Sequence, residues 1–133
     1  MITKVIIERG TDGLYSCYMD NDNLDFALNG QGGSVEEAKK EFLLVYKEIK
    51  EMYQGEGKVA PELEFEYEFD VPSFLSYYSK VLSLAGLHRL TGINQGQLSQ
   101  YVNGYRKPGI KTIKKIETSL HDFAKEIGQV HFV

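Results

Sequence analysis

The strand-type alternation of apolar residues in this chain stops at Val71-Pro72, and the period after it is helical. The clearest stretch lies just before the change. In ELEFEYEFD, residues 62–70, Leu63, Phe65, Tyr67 and Phe69 alternate strictly with Glu62, Glu64, Glu66, Glu68 and Asp70. A two-residue period puts the apolar set on one face of a strand and the acids on the other. From Ser73 onward the apolar steps become three and four, the spacing of helices that bury one stripe. The expected organisation is therefore an acidic sheet module at residues 1–70 and an all-α module at 71–133. Charge divides at the same place. Residues 1–70 hold 7 Lys and Arg against 16 Asp and Glu, a net of −9, and residues 71–133 hold 8 against 3, a net of +5. The overall −4 averages two opposite surfaces, which suggests two modules with different partners.

Within the first module, residues 2–8 (ITKVIIE), 14–19 (LYSCYM) and 24–29 (LDFALN) read as three strands of an antiparallel meander, divided by Gly10–Gly13 and Asp20–Asn23. Gln31-Gly32-Gly33 then breaks the strands. Ser34-Val-Glu-Glu37 is a capping-box sequence. It opens a helix through about residue 53, with Val35, Ala38, Phe42, Val45, Ile49 and Met52 on its buried face. With the strand at 62–70 the order is βββαβ, an α+β layer. Candidate helices of the second module are 73–82, 84–91, 95–103 and 109–128, and residues 130–133 carry a short strand-like pattern.

The chemistry-bearing segment is SLAGLHRLTGINQGQLSQYVNGYRKPG, residues 83–109. A helix over Leu84–Thr91 stops at Gly92, where a tight helix–turn–helix needs positive φ. Ile93 anchors the turn, and Asn94 caps the next helix. Leu98 and Val102 point inward, which leaves Gln95, Gln97 and Gln100 for a polar face. Gln pairs bidentately with adenine in the major groove. Tyr105, Arg106 and Lys107 follow Gly104 in a loop suited to phosphates, and Lys111 adds charge at the start of the last helix. Lys114 and Lys115 extend that charge and are read as solvated.

These residues resemble the Xre/lambda-repressor family. Leu87, Gly92, Ile93, Asn94, Gln95, Leu98, Ser99, Gly104, Arg106 and Pro108 stand at the family's pattern positions. The resemblance implies a lambda-repressor-like helix-turn-helix that docks on double-stranded operator DNA as a dimer. The candidate DNA-binding residues are Asn94, Gln95, Gln97, Ser99, Gln100, Tyr105, Arg106, Lys107 and Lys111. His88 stands where the family usually has a small Ala.

The first module carries Glu8, Arg9, Asp12, Gly13, Tyr15, Gly30, Gly32, Ser34, Glu36, Glu37 and Ala38 in a pattern similar to that of HicB-type antitoxins. That resemblance implies a truncated ribonuclease-H-like sheet and a partner of the HicA kind, a small basic ribonuclease toxin. The candidate partner-binding residues are Asp20, Asp22, Asp25, Glu62, Glu64, Glu66 and Glu68, a negative surface that attracts a cationic protein. The competing reading of the Glu row is edge-strand protection and solubility.

The expectation is thus an antitoxin and transcriptional repressor, forming a homodimer or a dimer of dimers. The alternatives are a stand-alone DNA-binding regulator whose first module senses a ligand or oligomerises, and a pure protein-interaction module. The last helix, with Ile110, Ile113, Ile116, Leu120, Phe123 and Ile127, is more apolar than a short bundle needs and marks the expected dimer contact.

Other chemistries fit poorly. Asp20, Asp22 and Asp25 miss calcium-loop spacing. Gly30–Gly33 lacks the Lys-[Ser/Thr] of a phosphate loop. Cys17 and the three His show no metal-ligand spacing, so no metal, cofactor or enzymatic activity is expected. A single Cys, no membrane-spanning apolar run and no signal peptide in MITKVIIERG give cytoplasmic as the expected location.

Overall fold

β1 (Ile2–Arg9) and β2 (Tyr15–Met19) pair antiparallel, Val5 opposite Met19 and Arg9 opposite Tyr15. The connecting turn is held by Leu14 N–H donating to Asp12 Oδ1 at 3.0 Å and by Gly13 at φ 83°. β3 (Asn29–Gly32) pairs antiparallel with β2, and β4 (Glu64–Phe69) pairs parallel with β1, giving the sheet order β3-β2-β1-β4. Between β3 and β4 runs α1 (Val35–Gly55), which packs on one face of the sheet. The computed structural model describes residues 1–21 and 23–133, and the chain divides into two units, Met1–Asp70 and Val71–Val133. The architecture is α+β, with βββαβ first and helices after it.

The third strand lies elsewhere than the alternation of Leu24, Phe26 and Leu28 predicts. Residues 24–28 are not strand, and β3 runs from Asn29, the last residue of the predicted strand, through Gln31 and Gly32, which read as its breaker. The cause is the closeness of α1. A Cβ on Gly30 would lie 2.5 Å from the Ala38 carbonyl oxygen and against the Phe42 backbone nitrogen. A Cβ on Gly32 would lie 2.5 Å from the Glu37 Cβ. The helix thus rests directly on glycine backbone, and the strand beneath it needs side-chain-free positions more than apolar ones. Of the predicted alternating set Leu28 is buried in the core, and Phe26 meets Tyr53 edge-on at 5.9 Å.

Ser34 caps α1 as its sequence requires, its Oγ accepting from Glu37 N–H at 3.1 Å. Glu37 reaches back one residue further than in the standard box, accepting from Gly33 N–H at 2.9 Å. The buried stripe is Val35, Ala38, Phe42 and Tyr46, whereas Met52, predicted on that face, is 56% exposed. Tyr46 takes the next place inward, donating to the Pro61 carbonyl at 2.8 Å and accepting from Leu63 N–H at 3.0 Å. With Phe65 edge-on to both Phe42 and Tyr46, this fixes where β4 begins. Cys17 is fully buried under the helix, and burial pushes its thiol pKa up, so it is core rather than nucleophile.

Among the described residues no helix of this unit lies on the opposite face of the sheet. There Tyr18 donates to Glu8 Oε1 at 2.6 Å, and this hydrogen bond is the main cause that pushes the Tyr18 pKa up to about 12 from 10.0. A raised phenol pKa means that the folded state holds the proton longer than the unfolded one. The contribution is whole below pH 10 and is lost as pH rises through about 12. Phenolate absorbance followed against pH should show a late step that Tyr18→Phe removes and Glu8→Gln shifts to lower pH. An unchanged titration in both variants would exclude the pair.

In the second unit α2 (Val71–Tyr78), α3 (Leu84–Thr91), α4 (Gln95–Val102) and α5 (Ile110–Gly128) surround a core of Leu75, Leu87, Ile93, Leu98, Tyr101 and Ile116. α2 starts and ends earlier than the predicted 73–82. Pro72 sits in its first turn, where the missing N–H costs nothing. Beyond Tyr78 the chain turns, with Val81 and Leu82 N–H both donating to the Tyr78 carbonyl. Residues 130–133 are not strand.

Candidate nucleic-acid interface

α3 and α4 are joined by a turn held by side-chain and backbone hydrogen bonds. Ser83 caps α3 by accepting from Gly86 N–H at 3.0 Å. At the other end Gly92 is left-handed, φ 76°, as the spacing predicts, and its N–H donates to the His88 carbonyl at 2.8 Å. Buried Thr91 donates to the Leu87 carbonyl at 2.7 Å and accepts from Ile93 N–H at 3.1 Å. His88 Nδ1 lies 2.8 Å from the Ile93 carbonyl, which can only accept, so the ring carries its proton on Nδ1. The imidazole thus ties α3 to the residue that anchors the turn, a role its sequence position does not announce.

Asn94 caps α4 by accepting from Gln97 N–H at 2.8 Å, so its acceptor is occupied by the fold. Leu98 and Tyr101 are buried, and Val102 packs against the same core. The face of α4 turned away from that core is centred on Gly96 and Gln100, with Gln95 at its N-terminal border. Gln95 and Gln100 are exposed, and Ser99 is half-buried, accepting from Asn103 Nδ2 at 3.3 Å.

Gln97 departs from expectation. It lies one turn before Tyr101 on the border of the core, and its Nε2 donates to the Tyr101 hydroxyl at 2.6 Å. That bond satisfies a phenol whose residue is 1% exposed, and it turns the Gln97 amide toward the protein. The polar face therefore holds two outward Gln, not three. A glutamine four residues before a core tyrosine is the signal that marks this pair.

After α4, Gly104 at φ 75° reverses the chain, and Tyr105 and Arg106 N–H donate to the Gln100 carbonyl at 2.9 and 3.3 Å. The loop is thereby folded back on the end of α4 with Tyr105 83% exposed and Arg106 and Lys107 exposed. Lys111 is exposed in the first turn of α5, a helix start with no acidic residue and no side-chain cap. Lys115 Nζ would stand 3.7 Å from a Cβ on Gly92, so this ammonium overhangs the turn between α3 and α4. Its position was not legible from spacing alone.

The acids of the first unit are distributed as follows. Glu64 and Glu66 are exposed on β4, and Glu68 pairs with Lys4 of β1 at 3.2 Å. In register, Ile2, Lys4 and Ile6 face Glu64, Glu66 and Glu68, which puts one cation and two aliphatic side chains beside the acidic row. Glu62, before β4, lies 3.8 Å from Lys50. Asp20 is exposed after β2, and Asp25 accepts from the Tyr53 hydroxyl. Asp22 lies outside the described residues. Among the described residues no group of three or more His, Cys, Asp or Glu could hold a metal ion. Among the same residues no helix is long and apolar enough to cross a membrane.

No match to the chain was found among curated proteins or among solved structures. A family model described as Helix-turn-helix matches residues 82–121, which include α3, α4 and the first part of α5. Over that stretch the chain is similar to the DNA-binding helix-turn-helix of transcriptional regulators.

Proposed function

We propose that this chain is the antitoxin of a two-protein toxin–antitoxin pair and a repressor of its own operon. The observation that carries the proposal is the coexistence, in one chain, of a DNA-type helix-turn-helix and a sheet face lined with acids. The second unit binds operator DNA through α4, with Arg106, Lys107 and Lys111 on phosphates. The first unit offers Glu64, Glu66 and Glu68 beside Ile2 and Ile6. That mixture suits a small basic protein with an apolar spot, a ribonuclease toxin of the HicA kind. Bound there, such a toxin has its phosphate-binding surface covered by carboxylates.

The DNA-binding form is a homodimer, because one short recognition helix reads too few base pairs for useful specificity. The contact proposed for it is the apolar stripe of α5 where it runs past the buried Ile116 toward both ends of the helix, with the residues after it. Ile110, Ile113, Ile127, Val130 and Phe132 are all exposed there, Phe132 at 94%.

The deciding experiment is co-expression of the chain with the product of the adjacent gene, followed by purification through a tag on one of the two. A small basic protein that copurifies, and whose toxicity the chain relieves, is the expected result. Charge reversal at Glu64 and Glu66 to Lys should then release the toxin at least tenfold faster and leave salt-dependent DNA binding unchanged. If no toxin is captured but upstream DNA is retarded, the chain is a stand-alone regulator. If neither occurs, it is an interaction module.

A further inference from the structure

Two glycines lie inside helices among the described residues, Gly86 of α3 and Gly96 of α4; Gly55 and Gly128 are the last residues of theirs. A glycine inside a helix weakens it relative to alanine, because the unfolded backbone loses more freedom on ordering. Such a residue calls for a cause. For Gly86 the fold supplies one, since a Cβ would lie 3.2 Å from the Ser83 Oγ that caps the helix. Gly30 and Gly32 are likewise explained by the helix that rests on them, and Gly92 and Gly104 by positive φ.

Gly96 has no such cause within the protein. Its φ is not positive, and the nearest atom to an added Cβ is Asn94 Oδ1 at 3.5 Å, an ordinary van der Waals contact. Alanine would fit there and favour the helix. The position is also exposed, in the first turn of α4, at the middle of the face turned away from the core. Its neighbours on that face are the exposed Gln95 and Gln100, whereas the Asn94 amide oxygen and the Gln97 amide nitrogen are engaged by the fold.

We infer that Gly96 is a specificity-determining residue of the DNA interface, acting through the side chain it lacks. With no Cβ at the centre of the face, the backbone of α4 can approach the floor of the major groove closely. Gln95 and Gln100, one on each side, then reach base edges that a bulkier central residue would hold out of range. The inference rests on the DNA-binding reading of α4. A methyl group placed there stabilises the protein and weakens the specific complex, two effects of opposite sign. A purely structural glycine would show the reverse on folding and nothing on DNA.

The test uses the full chain and a duplex enriched by the wild-type protein from a randomised pool. Gly96→Ala should raise the melting temperature of the helical unit by about 2–5 °C. It should bind the selected duplex about tenfold or more weakly. Binding to a scrambled duplex at low salt, carried by Arg106, Lys107 and Lys111, should stay within about twofold. Gly96→Ser should show the same loss of specific affinity. Equal affinity of the variants and the wild type for the selected duplex would overturn the role of Gly96, and so would a fall in melting temperature for Gly96→Ala. If the wild type enriches no sequence at all, the DNA-binding reading itself fails, and the role of Gly96 goes with it.

Discussion

Replacing Gln95 and Gln100 together with Ala should leave a folded chain that no longer prefers one DNA sequence over another. Each bidentate amide–base pair is worth about 1–3 kcal/mol of discrimination, so losing both lowers specific affinity by about thirtyfold at least. Both side chains are exposed on α4, and alanine is the better helix former, so stability is held or slightly raised. Binding measured against salt should keep its steep slope, because Arg106, Lys107 and Lys111 are untouched. Gln97→Ala is the contrasting case. Its amide already serves the Tyr101 hydroxyl, so its removal orphans a buried phenol and shows mainly as lost stability, about 1 kcal/mol or more. A sequence preference that survives the double substitution would remove α4 as the reading element.

The largest effect on folding is expected in the other unit, at Gly30→Ala. The added methyl has nowhere to go, because it meets the Ala38 carbonyl oxygen and the Phe42 nitrogen, backbone atoms of a helix on a strand. Overpacked cores lose about 1–3 kcal/mol when side chains can yield, and backbone yields less. A loss of about 3 kcal/mol or more is a large share of what a unit of this size holds, at about 0.05–0.15 kcal/mol per residue. Hydrogen exchange should show the amides of β1, β2 and β3 losing protection. Gly33→Ala is the control, since its Cβ would meet only Glu37 Oε2 at 3.5 Å, and its stability should change by about 0.5 kcal/mol or less. Equal behaviour of the two variants would mean that α1 is not seated on β3 by glycine contact.

Gly30 and Gly32 also mark the limit of what periodicity reveals. ELEFEYEFD announced β4, and Ser34 with Glu37 announced the start of α1, because in both the signal is a local pattern. Gly92 and Asn94 announced the turn before α4 for the same reason, each doing what its φ or its side chain favours. β3 could not be seen this way. Its core-facing positions are glycines, required by a helix that follows in sequence, while the alternating Leu24, Phe26 and Leu28 belong to a loop. The same holds for Gln97. Its spacing on the helix was legible, but whether its amide turns to solvent or to Tyr101 depends on where the core places the ring. Pro72 reads as the residue just before a helix at 73, yet it lies inside the first turn of α2.

The parallel pairing of β1 with β4 has a consequence for how the first unit comes into being. Made from the N-terminus onward, the chain emerges with its first strand able to find β2 within a few residues. The other side of that strand has no neighbour until residues 64–69 follow. Until then the nascent sheet presents a bare edge beside Ile2 and Ile6, the kind of edge that recruits foreign strands. Closure across so long a segment is a slow, late event. The acidic strand that completes the sheet is therefore also the one that ends its vulnerability, and it arrives with its own charge to keep other strands away.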